Sequence, residues 1–378
     1  MTTWSVIRSS RIGLLFARAA VLLALLCVSN ITAAQESDYG KPGEPVNLVV
    51  GYQPYGTENL DGIVMREKEL WTKYLPKGST VEMQIALQGS IIVNNMLAGK
   101  AAIGFMGDMP SITSTTKRQA DLRIVAVNSI DPMCQYLVVR ADAPDFKTRE
   151  DAFKWLNGKT VAAPKGSCAD RFMNVVLSKE NIKPAAYLNQ GNEVIISNFR
   201  AKRLDGAVTW EPYIGKMVAE HLARIVANGE PYNENNVTFV VMRADLIKQR
   251  PDVVKAWLNA ELDAQLFLSD PKNAKEIVAM FVKANPGFSP EVFWNTLYGT
   301  YPIDASRSKV RLTFAFAVIP QVMDVITKDV SFLKSIKAID VDKLRPDAIM
   351  PQFTEEILKE RGLKAPVGVV NAMPSGEK

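Results

Sequence analysis

The sequence predicts an α/β protein of two lobes, each built on a doubly wound, mostly parallel sheet, with an added C-terminal helical segment. Three observations carry that expectation. The chain has 378 residues, 47% of them hydrophobic and 22% charged, more than one core usually accommodates. Short apolar strands alternate with helices through two successive series, an order that packs as parallel strands joined by crossover helices. From residue 244 the pattern turns almost wholly helical.

The first 34 residues read as a cleaved secretory signal. Arg8, Arg11 and Arg18 precede or interrupt the apolar run 19–28, and Thr32, Ala33 and Ala34 follow as small residues before the cut. The run is too short for a membrane span, and bulky Leu26 ahead of Cys27 argues against lipid attachment. Removing three arginines and no acid lowers the formal charge from +5 to about +2. The remaining charges are interspersed, so nucleic acid is not an expected partner. Cys134 and Cys168 remain, and their pairing is open, because sequence does not show whether two Cβ atoms meet. No CxxC or Cys/His spacing suggests a metal, and no cofactor motif is present. The single histidine, His221, reads as a surface or helix-cap residue, leaving no Ser/His/Asp or Cys/His catalytic set. An enzyme is not expected.

In chain order, a first lobe over 45–134 starts with the apolar strand 46–51 and a loop through Gln53, Tyr55, Glu58 and Asp61 into a helix over 63–74. Strand 81–86 leads through Gln88 and Ser90 into a helix. Strand 101–105 leads through Asp108 and Met109 to Pro110, which suits a first helical turn. Strand 122–127 closes the series. The second lobe, 135–237, repeats the scheme, with strands at 160–163, 186–188 and 207–210. The chain then returns to the first lobe over 238–363, where Trp257, Leu258, Leu262, Leu266 and Phe267 stand at core-facing helical spacing. Residues 364–378 read as a disordered tail.

The stretch Ala162-Ala163-Pro164-Lys165-Gly166-Ser167-Cys168-Ala169-Asp170 organises the rest. It reads as a buried strand, a tight turn and a helix start, with Ser167 and Asp170 in capping-box relation. A helix start turns unpaired N–H groups and a partial positive charge outward, and so receives small anionic or polar groups. Five loops of this kind follow apolar strands: 51–62, 88–90, 107–111, 165–167 and 210–212. Open α/β sheets bind ligands at such positions, so one ligand gripped from two lobes, with hinge closure, is the expected arrangement.

Several ordered motifs then resemble one family. They are Val49-Val50-Gly51-Tyr52-Gln53, Met96-Leu97-Ala98-Gly99-Lys100-Ala101-Ala102-Ile103-Gly104, Gly107-Asp108-Met109-Pro110, Gly158-Lys159-Thr160-Val161-Ala162, and Asp205-Gly206-Ala207-Val208 with Trp210-Glu211-Pro212-Tyr213. The set is similar to the periplasmic solute-binding proteins of nitrate/sulfonate/taurine-type ABC transporters, from about residue 46 to 242. The resemblance implies a type II periplasmic-binding-protein-like fold and a periplasmic monomer. Such a protein delivers a small-molecule ligand to an ABC permease and its ATPase at the inner membrane. By family position the ligand lies among Gln53, Tyr55, Glu58, Asp61, Gln88, Ser90, Asp108, Met109, Gly166, Ser167, Trp210 and Glu211.

The charge of that ligand stays open at this level. The helix starts and the resemblance favour a small organic anion such as a sulfonate, or a nitrate-like anion. Glu58, Asp61, Asp108 and Glu211 would instead suit a cationic amine or guanidine, because several desolvated carboxylates around an anion are costly.

Overall fold

The computed structural model describes residues 36–56, 59–117, 121–132, 135–299 and 309–373. The proposed signal, residues 1–34, lies outside them. The first series gives β1 (Asn47–Tyr52), α1 (Leu60–Lys68), β2 (Thr80–Ile85), α2 (Gly89–Leu97), β3 (Ile103–Gly107), α3 (Asp108–Thr115) and β4 (Leu122–Asp131). The second gives β5 (Gln135–Arg140), α4 (Arg149–Trp155), β6 (Thr160–Ala163), α5 (Cys168–Lys179), β7 (Ala186–Asn189), α6 (Asn192–Arg200), β8 (Gly206–Trp210), α7 (Tyr213–Ala219) and β9 (Ala223–Asn228). The return gives β10 (Asn236–Arg243), α8 (Ala244–Gln249), α9 (Pro251–Ser269), α10 (Ala274–Ala284), α11 (Pro290–Leu297), β11 (Val310–Phe314), α12 (Pro320–Ser335), α13 (Gln352–Glu360) and β12 (Gly368–Asn371).

Two sheets result, with strand orders β12-β11-β4-β10-β3-β1-β2 and β7-β6-β8-β5-β9. Each contains a parallel block, β2-β1-β3 and β7-β6-β8, made by crossover helices as the β/α alternation requires. The antiparallel strands have a simple cause. The chain passes between sheets from β4 to β5 and again from β9 to β10, at the edge where the parallel strands end. A strand that starts at that edge runs away from it, so β10 opposes β3 and β4, and β5 opposes β8.

The C-terminal segment departs from the sequence reading at two points. Val310-Arg311-Leu312-Thr313-Phe314 lies within the supposed helical run yet pairs with β4. Residues 368–371, expected in a disordered tail, form β12 on the edge of β11, from Val310 opposite Asn371 to Phe314 opposite Gly368. Val367 N–H donates to Phe314 O (2.8 Å), Met373 N–H donates to Tyr298 O (2.8 Å), and Val370 is buried in the first core. An exposed sheet edge is a ready template for such pairing. Residues 374–378 lie outside the described residues.

Separate cores support the two sheets. In the first, Trp257 stacks on Trp71 (centroids 6.1 Å apart, planes at 9°) and meets the edge of Phe105, while Leu258 and Leu262 are fully buried. Each such side chain contributes about 1.5–3 kcal/mol of transfer free energy. In the second, Phe172, Val176, Ile214 and Met217 pack beneath β6 and β8. His221 stands exposed just past α7 with φ 54, a cap position. Cys168 is buried with a free thiol, and Cys134 lies outside the described residues. Among the described residues no helix is long and apolar enough to cross a membrane.

Candidate functional site

Three helix starts meet around one cavity of about 310 Å³. Gln88, Gly89 and Ser90 open α2, Gly107 and Asp108 open α3, and Gly166, Ser167 and Cys168 open α5. Gly89 permits the convergence: a Cβ there would stand 2.5 Å from Cγ of Pro110, so only glycine lets α2 start against α3. Gly166 holds φ +75, the left-handed conformation that turns the chain from β6 into α5. Gln53 and Trp210 line the cavity from the ends of β1 and β8, and Lys117 and Lys165 are exposed lining residues.

The three starts differ in what they offer. At α3, Asp108 Oδ1 accepts the Met109 N–H at 2.7 Å. At α5, Gly166 N–H donates to Asp170 Oδ2 (3.0 Å), Asp170 N–H donates to Ser167 Oγ (3.5 Å), and the Ser167 hydroxyl donates to Pro164 O (2.5 Å). A carboxylate of the chain already occupies that start, and the Ser167 hydroxyl expected to serve a ligand is used locally. At α2 Gln88 makes no side-chain cap and no acid stands in the first turn. Its N-terminal donors and dipole are the least neutralised. Ser167→Ala is therefore expected to change ligand affinity by less than about threefold, while losing about 0.5–2 kcal/mol of helix capping; calorimetric titration beside thermal unfolding measures both.

Of the residues expected at the site, Gln53, Gln88, Ser90, Asp108, Gly166, Ser167 and Trp210 line this cavity. Tyr55 instead packs on the second core, its ring 6.4 Å from Tyr213. Met109 is fully buried, because it follows Asp108 on the inward side of α3. Glu211 turns away from the cavity: its Oε2 accepts Gly215 N–H (3.0 Å) and the Thr296 hydroxyl (3.3 Å), tying α7 to α11. Asp61 is also absent from the lining and fully buried. Its Oδ1 accepts Gly62 N–H (2.9 Å), and its carboxyl lies beside the equally buried carboxyl of Glu261 of α9. Glu58 lies outside the described residues.

Burial lifts both Asp61 and Glu261 above the usual carboxylate range, and the charge of Asp61 lifts Glu261 further. A raised carboxyl keeps its proton longer in the folded chain. Its stabilising share is whole below the ordinary carboxylate pKa and is lost as pH rises through the folded value. Glu261→Gln should therefore melt above the wild type by a few degrees at pH 8, with the gap narrowing toward pH 4. Thermal unfolding across that range checks the trend, and a gap that widens on acidification would contradict the assignment.

Among the described residues, the one carboxylate lining the cavity, Asp108, shares a guanidinium with two other acids. Arg171, on α5, pairs with Asp108 of α3 (3.7 Å), with Glu234 between β9 and β10 (2.7 Å), and with Asp329 of α12. Arg171 Nη2 also donates to Asn235 O at 2.7 Å. All four charged side chains are at least nine-tenths buried. Burial lifts the Asp108 carboxyl, and the guanidinium offsets part of that rise.

Further lining residues lay outside the sequence reading. Asn94 and Val93 stand one turn beyond Ser90 and Gly89 on α2, a face legible from helical spacing once the start is known. Thr113 extends α3 in the same way. Leu333 and Ala338 come from the C-terminal segment and had no local signal. A separate recess of about 430 Å³ lies beside α4 and β9 and shares no residue with the cleft. Its Arg224 guanidinium is bound to Ala143 O and Pro144 O (both 2.7 Å).

Comparison with known proteins follows the same lines. The taurine-binding periplasmic protein of Escherichia coli K12 is 24% identical over 254 residues, which are 63% of this chain and 73% of that protein. The alkanesulfonate-binding protein of Xanthomonas axonopodis pv. citri, solved with MOPS, superposes with a TM-score of 0.66 at 19% identity, covering 81% of this chain and 99% of the other. The nitrate-binding protein of Synechocystis PCC 6803 does so with a TM-score of 0.65 at 14% identity, covering 84% and 89%. A desulfurization enzyme shares the fold as well, with a TM-score of 0.60 at 14% identity, covering 83% and 99%. These structures show a periplasmic-binding-protein-like architecture. With residues 41–282 matching the family profile, the chain belongs to the NMT1-like family, among relatives of the nitrate, sulfonate and taurine solute-binding type.

Proposed function

We propose that the chain is the periplasmic solute-binding component of an ABC importer, delivered there by a cleaved signal. It captures a small organic anion such as a sulfonate between its lobes and hands it, as a monomer, to a permease with its ATPase. The observation that carries this reading is the charge distribution of the cavity. Among the described lining residues, an uncapped α2 start and two lysines stand around it, against a single carboxylate, Asp108, whose charge Arg171 partly offsets. A cationic amine would want free carboxylates, and Asp61 and Glu211 are engaged elsewhere. Trp210, Val93 and Leu333 supply an apolar wall, which favours an anion with a hydrocarbon body over bare nitrate.

The desulfurization enzyme on this fold makes catalysis the rival class. Here the cysteine that lines the cavity, Cys168, is mostly buried, and the chain's one histidine stands past the end of α7. A thiol without a neighbouring base is poorly activated. Thermal-shift screening of sulfonates, nitrate, carboxylates, guanidines and amines tests the reading. Ligand at a hundred times Kd stabilises the folded state by about 2.7 kcal/mol, so an organic anion should raise Tm by several degrees. Stabilisation by amines or guanidines alone would overturn it, and conversion of the stabilising compound to product would favour the enzyme.

A further inference from the structure

The buried face of α12 is Val322, Val325, Ile326, Asp329, Val330 and Leu333, a regular helical stripe with one charge at its centre. Asp329 is fully buried, and its carboxylate pairs with Arg171 on α5, a helix of the other sheet. Beside it Lys328 Nζ donates to Asn233 O (3.0 Å), in the crossing between β9 and β10. One turn beyond Asp329, Leu333 lines the ligand cavity, followed by Ala338. An aliphatic residue at 329 would seat α12 on α3 without any help from the second sheet. A carboxylate there is tolerable only when a partner reaches it, and the partner comes from across the cleft.

From this arrangement we infer that α12 is a strap closing the cavity, with Asp329–Arg171 as its latch and Leu333 as the wall that limits ligand length. The strap lies beyond residues 41–282, which match the family profile. The wall rests on the solute-binding reading, whereas the latch does not.

Two measurements separate these parts. Hydrogen–deuterium exchange is followed in the ligand-free protein and in Asp329→Asn. Asp329→Asn should exchange at least about tenfold faster across α12, with α9 unchanged; Asp329→Leu, whose unbroken apolar face seats α12 without the latch, should exchange at the wild-type rate and so guards against misfolding. Unaltered exchange in α12 of folded Asp329→Asn, or equally fast exchange in both variants, would overturn the latch. Calorimetric titration with n-alkanesulfonates from methanesulfonate to octanesulfonate then compares the wild type with Leu333→Ala. The affinity ratio of long to short chains should rise at least about fivefold in the variant. An unchanged ratio overturns the wall but leaves the solute reading intact. A wild type that binds no member of the series overturns the sulfonate reading and the wall with it, while the exchange result still judges the latch.

Discussion

Arg171→Met is expected to destabilise the folded protein by about 3–5 kcal/mol, the usual cost of removing one partner from a buried ion pair. Three carboxylates, Asp108, Glu234 and Asp329, meet this guanidinium from three parts of the chain, all of them buried. Methionine fills much of the volume, so the loss reports charge rather than packing. Burial already lifts the Asp108 carboxyl, and losing the guanidinium that offsets this lifts it further. Stability should then fall as pH rises, and the deficit against the wild type should be larger at pH 8 than at pH 5. Urea unfolding at the two pH values measures it. A loss below about 1 kcal/mol at pH 8 would mean that the cluster is solvated and does not hold the lobes together.

Ser90→Asp should weaken binding of an organic anion about a hundredfold while leaving the fold intact. Ser90 is exposed in the first turn of α2, where an aspartate interacts favourably with the helix dipole and adds about 0.3–1 kcal/mol of stability. The same carboxylate would compete with the ligand for the N-terminal donors and repel its charge. A repulsion of about 2–3 kcal/mol, after allowing for solvent exposure, corresponds to that loss of affinity. Opposite signs for stability and affinity separate a binding role from a structural one. Tighter binding in Ser90→Asp would identify a cationic ligand.

The sequence carried the two β/α series because strand and helix periodicity are local, and it carried the loops at Gln88–Ser90, Gly107–Asp108 and Gly166–Ser167 for the same reason. What it missed is non-local. Nothing near Asp61 shows that Glu261, two hundred positions on, will lie buried beside its carboxyl, and nothing near Glu211 shows that Thr296 will meet its charge. The meeting of Arg171 with Glu234 and Asp329 is non-local in the same way. Ser167 was recognised as a cap, but capping is what consumes its hydroxyl. The parallel packing inferred from alternation held for the blocks around β1 and β6. The direction of β5 and β10 followed from where the chain crosses between sheets, which periodicity does not encode.

The central claim is that the cavity among the starts of α2, α3 and α5 selects negative charge on a small organic body. Isothermal titration with a pair of ligands of matched hydrocarbon length and opposite head group, butanesulfonate and butylamine, tests it most directly. The expected result is one-to-one binding of butanesulfonate, abolished or weakened about a hundredfold in Ser90→Asp, with no heat from butylamine. Binding of butylamine in preference to butanesulfonate, strengthened by Ser90→Asp, would contradict it.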